Sequence, residues 1–366
     1  MPKIGVRVDV KSLVSGIKYL VRTISLATEL SKQYFDVYFF TKYDVTYNYV
    51  NNQGFNVFKI SDFKNDKKSI RQNNLNIGED PKEVIGLFKK HNIENMIVDI
   101  PNLTAEYFKT YRPLLKRIIQ IDDEPRFKTF SNVIINGSLA SHNFEYPEVP
   151  KQVLLLGTEF CLLDNELVEL EPKKTKKFVK DIFVYVRQND PHNTTSNIIN
   201  TLLSDESVNA LRIHVIATSR YKYLEKLEQL VKGKSNIILH KDPKNLLHIL
   251  KDCDIGISND LFTIYRLIAT GVPTISFLLP EDYEDIEDFL TSNYNNEDRK
   301  IERIWEHKYI GLVIEEQDFK SVLLKKINKL FESYNMRSTL REKGQKALDG
   351  KGAYRVANKL KKIIRD

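Results

Sequence analysis

The feature that most constrains this chain is a rhythm. Short apolar runs alternate with stretches of helical periodicity, the alternation stops at a charged break, and then it begins again. In the first half "KIGVRVDV" reads as a strand, followed by the turn "KSLVSG" and the helical run "YLVRTISLATELSKQ". In that run Leu20, Ile24, Ala27 and Leu30 fall on one face. "DVYFFTK" reads as a strand and "NNQGFNVFKI" as a turn and strand. "NMIVDI" and "RIIQIDD" are strands reached through the helical segments "PKEVIGLFKKHN" and "TAEYFKTYRPLLK", and "NVIINGS" and "QVLLLGTEF" extend the series. Strands that are apolar throughout and alternate with helices belong in a parallel sheet covered on both faces.

The break is "EPKKTKKFVKD" at 171–181, the densest run of cations. It reads as a solvated linker, with an anionic-ligand patch as the alternative. Beyond it the strands "DIFVYVRQ", "RIHVIAT", "NIILH", "CDIGIS" and "PTISFLL" alternate with the helices "TTSNIINTLLS", "YLEKLEQLVKG", "PKNLLHILKD" and "LFTIYRLIATG". "FKSVLLKKINKLFESY" and "YRVANKLKKII" close the chain as helices. The expected organisation is a Rossmann-like domain over 1–168, a charged linker over 169–181, a second Rossmann-like domain over 182–336 and a helical tail over 337–366. At roughly 100–200 residues per domain, 366 residues suit two such domains. Two doubly wound parallel sheets in tandem are expected to face a cleft lined by the carboxyl ends of their strands, where helix N-termini offer unpaired N–H groups to anions.

Composition narrows the function classes. No stretch approaches the roughly 18 uninterrupted apolar residues of a membrane span, and "MPKIGVRVDV" carries no apolar signal segment, so a cytoplasmic protein is expected. Two cysteines are too few for a disulfide framework or a cysteine-based zinc site, and no tight ligand cluster suggests a metal or other cofactor. The net charge of +7 comes from 56 Lys and Arg against 49 Asp and Glu, mostly interleaved. No basic stripe with aromatic platforms stands out, which argues against nucleic acid. The 19 Phe and 18 Tyr exclude wholesale disorder.

Candidate site residues lie where strands end. Asp9 closes the first strand, and its loop carries Ser12, Ser15 and Gly16 before a helix with Lys18, Tyr19 and Arg22. Such a loop can present N–H groups to a phosphate or sugar. Asp99 ends "NMIVD", and Asp122 and Asp123 end "RIIQIDD"; paired acids there can act as general base, bind sugar hydroxyls or hold hydrated Mg²⁺. Asp9 and Asp123 read equally well as turn or capping residues. In "VYVRQNDPHNTT", Arg187, Asn189 and His192 stand in a loop, with Asn193, Thr194 or Thr195 as N-cap of the next helix, and Arg187 suits bidentate contact with phosphate. Asn259 and Asp260 begin "NDLFTIYRLIATG", where Asp260 is either a nucleotide contact or the cap of a packing helix.

In this order the segments resemble the PseG/SpsG type of UDP-sugar hydrolase, of the pseudaminic-acid and spore-coat polysaccharide pathways, over about residues 3–300. That family opens with a strand ending R-x-D, a loop G-x-G-H and then R; "RVDVKSLVSGIKYLVR" keeps Arg7, Asp9, Gly16 and Arg22. "IVDIPNL", "IQIDDEP", "INGSLASHNFEYPEVPKQVLLLGTEFCLLDNEL" and "VYVRQNDPHNTT" are similar to its later motifs. The resemblance implies a GT-B fold and a UDP-sugar ligand, with Asp9, Lys18, Tyr19 and Asp99 at the sugar and Gly16, Arg22, Arg187, Asn189, Asn193, Asn259, Asp260 and Arg266 binding the nucleotide-sugar. The chain also departs from the family. Lys18-Tyr19 stands where the family has its catalytic His, Arg187-Gln188 where it has two glycines, Asp164 where it has an Arg, and Arg266 where a Glu would hold the ribose. The implied function is a nucleotide-sugar hydrolase or glycosyltransferase of surface or spore-coat polysaccharide or nonulosonic-acid synthesis. The alternative is a catalytically inactive binding or scaffold subunit of such a pathway.

Overall fold

The structure, a computed structural model, describes residues 1–60, 80–100, 103–123, 129–139, 141–171, 173–187, 189–208, 210–277, 312–314 and 319–365. The chain forms two compact units. Unit 1 comprises Met1–Val168 and Gly350–Asp366, and unit 2 comprises Glu169–Asp349.

Unit 1 is built on a seven-stranded, all-parallel sheet of β1 (Lys3–Val8), β2 (Asp36–Thr41), β3 (Asn56–Lys59), β4 (Asn95–Asp99), β5 (Arg117–Ile121), β6 (Val133–Asn136) and β7 (Val153–Leu156). Their order is β3-β2-β1-β4-β5-β6-β7, so the chain reverses direction across the sheet between β1 and β4. Helices α1 (Leu13–Lys32), α2 (Asp44–Asn52), α3 (Asp80–His91) and α4 (Ala105–Tyr111) belong to the connections. Because β-strand side chains alternate, β1 sends Ile4, Val6 and Val8 to one face, where Leu20, Ala27 and Leu30 of α1 meet them. Phe88 of α3 and Tyr107, Phe108 and Tyr111 of α4 pack the opposite side with Met96, Val98 and Ile118.

Three elements differ from the sequence reading. The segment read as the turn "KSLVSG" contributes the first turn of α1. Helix α2 was not expected, since its polar sequence DVTYNYVNN buries only Thr46 and Val50. Helix α4 stops at Tyr111: Arg112 keeps helical φ and ψ, but Pro113 after it has no N–H to continue the hydrogen-bond ladder.

Unit 2 carries a six-stranded parallel sheet in the order β10-β9-β8-β11-β12-β13. The strands are β8 (Asp181–Tyr185), β9 (Arg212–Ala217), β10 (Ile237–Lys241), β11 (Ile255–Ser258), β12 (Thr274–Phe277) and β13 (Leu312–Ile314). The helices are α5 (Thr194–Leu203), α6 (Leu224–Val231), α7 (Leu246–Leu250), α8 (Leu261–Ala269), α9 (Phe319–Glu332) and α10 (Tyr334–Ala347). Ile198, Ile199 and Leu202 of α5 and Leu323, Ile327 and Leu330 of α9 close over Ile182, Val184, Ile213 and Val215.

The cationic segment before β8 is strapped to unit 2. Lys173 donates to the carbonyls of Lys251 and Cys253, and Lys176 pairs with Asp254 at 3.0 Å. The buried Arg337 donates to the carbonyls of Leu330, Phe331, Lys176 and Lys177. The expected helical tail is likewise divided. Helix α10 belongs to unit 2, whereas α11 (Gly352–Arg365) returns to unit 1 and buries Ala353, Val356, Ala357 and Leu360 against its core. That docking requires Gly352, because a Cβ there would lie 2.0 Å from the carbonyl oxygen of Cys161.

Candidate functional site

In unit 1 the carboxyl ends of β1, β4 and β5 gather charge. Arg22, two turns into α1, donates from Nε and Nη2 to Asp99 at 2.6 and 2.5 Å, a bidentate pair in which the Asp99 side chain is only 1% exposed. Its Nη1 donates to Asp123 at 2.6 Å, and Lys18, one helical turn earlier, reaches the other Asp123 oxygen at 3.1 Å. The ammonium of Lys18 and the guanidinium of Arg22 lie 4.9 and 4.8 Å from the centre of the Tyr19 ring. The structure therefore brings together Lys18, Tyr19, Arg22, Asp99 and Asp123.

The charges shape one another. The surroundings of the half-exposed Asp123 carboxyl oppose its ionisation, but the Arg22 and Lys18 cations outweigh them and hold it well below its usual range. Burial raises the Asp99 carboxyl, and Arg22 limits the rise. Burial also raises the Tyr19 phenol, and the pull of Lys18 in the other direction is too small to offset it, so Tyr19 is less ionised at neutral pH than a free tyrosine.

Asp9 sits in a different environment. Its carboxylate is buried, pairs with the fully buried Arg7 at 2.5 Å and accepts from the Thr41 hydroxyl at 2.9 Å and the Lys42 N–H at 2.8 Å. It ties β1 to β2 rather than joining the Arg22 cluster. Gly16 likewise acts by packing, since a Cβ there would meet Val10 Cγ1 at 2.2 Å. The start of α1 has neither a side-chain cap nor an acid in its first turn.

Asp122 anchors a neighbouring network that the sequence did not reveal. Its carboxyl interacts with the side chains of Tyr146 and Gln120, and Asn136 donates to the Tyr146 hydroxyl at 2.9 Å and to the Asp123 carbonyl at 3.1 Å. Tyr146 and Asn136 come from separate segments, so spacing alone carried no signal. Burial and the adjacent Asp123 charge push the Asp122 carboxyl up to about 7, with Tyr146, Gln120 and Arg22 restraining it. The turn expected after Asp123 lies outside the described residues.

In unit 2 the ends of β8 and β11 are joined by the Arg187 N–H, which donates to Asn259 Oδ1 at 3.0 Å. The Asn259 Nδ2 atom is buried without a hydrogen-bond partner among the described residues. Asn193 occupies the N-cap position of α5 in the left-handed region, φ 56°, but its side chain accepts from the Tyr221 hydroxyl and bonds no helix N–H. The carboxylate of Asp190 caps α5 instead, accepting from the Thr194 and Thr195 N–H groups at 2.7 Å each. Asp260 caps α8, accepting from the Thr263 N–H at 2.9 Å and its hydroxyl at 2.6 Å. Both helix starts expected to receive phosphate thus already hold a carboxylate. Arg266 is buried on α8 with its guanidinium 4.2 Å from the Phe262 ring centre, and Asn189 is exposed in the loop. Gln188 lies outside the described residues.

Comparison with solved structures places this architecture. MurG of Acinetobacter baumannii superposes with a TM-score of 0.65 at 10% identity, covering 99% of this chain and 100% of that one. UDP-GlcNAc 2-epimerase from Neisseria meningitidis, solved bound to UDP-GlcNAc, gives 0.68 at 10% identity, again covering 99% and 100%. HepE of Anabaena, solved in complex with UDP, gives 0.62 at 10% identity with the same coverage. The fold is GT-B. No protein-family model matches the chain. An uncharacterized protein of Methanocaldococcus jannaschii is 26% identical over 277 residues, which is 72% of this chain and 53% of that protein. The chain thus spans about half the length of this curated relative. No helix among the described residues is long and apolar enough to cross a membrane.

Proposed function

We propose that the protein is a nucleotide-sugar enzyme that cleaves or transfers the glycosyl group of a UDP-sugar, in the manner of the PseG/SpsG hydrolases its motifs resemble. On that reading the nucleotide contacts in unit 2 would come from Arg187, Asn189, Asn193, Asn259, Asp260 and Arg266. Surface or spore-coat polysaccharide or nonulosonic-acid synthesis is the pathway this reading implies. The observation that carries it is the Lys18–Arg22–Asp99–Asp123 cluster at the carboxyl ends of β1, β4 and β5, the place where open α/β sheets bind ligands. The fold supports it, since a 2-epimerase of this architecture was solved with UDP-GlcNAc and HepE with UDP.

Within the cluster, the half-exposed Asp123 offers an acceptor for a sugar hydroxyl, while Asp99 is buried on Arg22 and holds that guanidinium in place. Titration calorimetry with UDP and UDP-N-acetyl sugars tests the reading: binding in the micromolar to millimolar range supports it, and silence at millimolar ligand removes it.

One observation favours a second reading, a catalytically inactive binding subunit. A phosphate arriving at α5 or α8 meets the carboxylate of Asp190 or Asp260, and like charges at one helix start repel. UDP released from UDP-sugar, and its loss in Asp123→Asn, separates the two.

A further inference from the structure

The sheet edge formed by β7 lacks the protection that the other edges carry. Edge strands are usually blunted by charge, proline or short length, because their outward N–H and C=O groups are a template for another strand. Edge strand β3 carries Asn56 and Lys59, β10 carries His240 and Lys241, and β13 is three residues long. Strand β7 is Val-Leu-Leu-Leu, with no charge and no proline within it. The direction of its unused groups follows from the ladder to β6. Val153 and Gly157 donate to the Asn132 and Asn136 carbonyls at 2.9 and 3.1 Å, so the alternation along the strand turns the N–H and C=O of Leu154 and Leu156 outward. Neither residue has a main-chain hydrogen bond on that side among the described residues.

The side chains point the same way. Val153 and Leu155 face the core shared with α1 and α11, which leaves Leu154 and Leu156 on the other face. Leu154 is 41% exposed and Leu156 is half-buried. The flanks carry opposite charges. Exposed Lys151 precedes the strand and exposed Glu159 follows it, and neither side chain has an ion-pair partner among the described residues. The Glu159 carboxylate folds back against Gly157, where the missing Cβ leaves room for it, and so stands at the end of the strand itself.

We propose that β7 pairs with the β7 of a second copy of this chain, antiparallel about a two-fold axis at Leu155. In that register Leu154 of one copy faces the partner's Leu156, and each such pair exchanges both N–H···O=C bonds from the outward groups. Leu154 and Leu156 of both copies share one face, so the exposed Leu154 side chains are covered. The same axis sets Lys151 opposite the partner's Glu159 at both ends of the contact. Axes at Leu154 or Leu156 also satisfy the backbone but leave Lys151 with no acid opposite, so the charges select Leu155. A patch that pairs with itself in this way closes at two copies. The strand is short, so association in the micromolar range is expected.

Sedimentation equilibrium of the full chain, from about 1 µM to about 0.1 mM, tests the proposal. The wild type is expected to pass from monomer to dimer across that range. Leu154→Lys, at a side chain that a single copy leaves exposed, should stay monomeric while keeping the wild-type thermal transition. Leu154→Pro removes an outward N–H and no ladder bond within the copy, so it should do the same, and it decides the matter should the lysine variant fail to fold. Lys151→Glu sets like charges together and should weaken the dimer roughly tenfold, and adding Glu159→Lys should restore it. A wild type that is monomeric throughout, or a dimer that persists in both Leu154 variants, overturns the proposal. A charge reversal that changes nothing, or that the second reversal does not repair, overturns the antiparallel register and with it the pairing of β7 on itself.

Discussion

Replacing Arg22 with methionine should cost unit 1 about 3–5 kcal/mol at neutral pH, the range for removing one partner of a buried ion pair. The magnitude is set by Asp99. Its side chain is 1% exposed and takes two short bonds from Arg22, so the variant leaves a carboxylate in the core with its cation gone. Asp123, about half exposed and still paired with Lys18, contributes little to the loss. At about 2–4 °C per kcal/mol for a unit of this size, the unit 1 transition should fall by about 6–20 °C in scanning calorimetry. The penalty should depend on pH. Without Arg22, burial lifts the Asp99 carboxyl further above its ordinary value, so the native state binds more protons than the unfolded state. Stability then falls as pH rises through that value, and the variant should be hurt less at pH 5 than at pH 7.5. The double variant Arg22→Met, Asp99→Leu, with neither charge left, should recover most of the loss. A penalty under about 1 kcal/mol, or one identical at both pH values, would refute the view that Asp99 depends on Arg22 for its charge.

Three further outcomes are expected. Asp190→Ala should cost about 1–2 kcal/mol in urea unfolding of unit 2, since two N–H groups at the start of α5 lose their acceptor; no change would mean that another group caps that helix. Gly352→Ala should loosen α11 by about 1–3 kcal/mol and speed tryptic cleavage at Lys351, because the added methyl falls on the Cys161 carbonyl; an unchanged digestion rate would show that the contact yields freely. Burial pushes the Cys161 and Cys253 thiols up to about 12, so at pH 8 a disulfide reagent should label both at least ~10³-fold more slowly in native protein than in urea, and rapid native labelling would contradict their burial.

The strands were the most legible part of the fold. Runs such as "NMIVD" and "DIFVY" are mostly apolar and buried at every position because both faces of a parallel sheet are covered, and that pattern is local. Helix α2 was hidden because its polar sequence carries only two buried side chains. The site was legible in position and less so in role. Asp9, Asp99 and Asp123 do end strands, yet only their neighbours show that Asp9 is locked to Arg7 and Thr41 while Asp99 and Asp123 share Arg22. The N-cap of α5 was sought among Asn193, Thr194 and Thr195; a left-handed Asn193 swings its side chain to Tyr221 and leaves the cap to Asp190.

The amino-acid sequence by itself determined the two α/β units and the ends of the strands where polar residues collect, because hydrophobic period and chain direction are properties of neighbouring residues. Only the tertiary structure decided which charges pair and that α11 completes unit 1. Those outcomes depend on distances between residues far apart in the chain, such as Arg22 and Asp99 or Gly352 and Cys161, and burial gives each of them its energy.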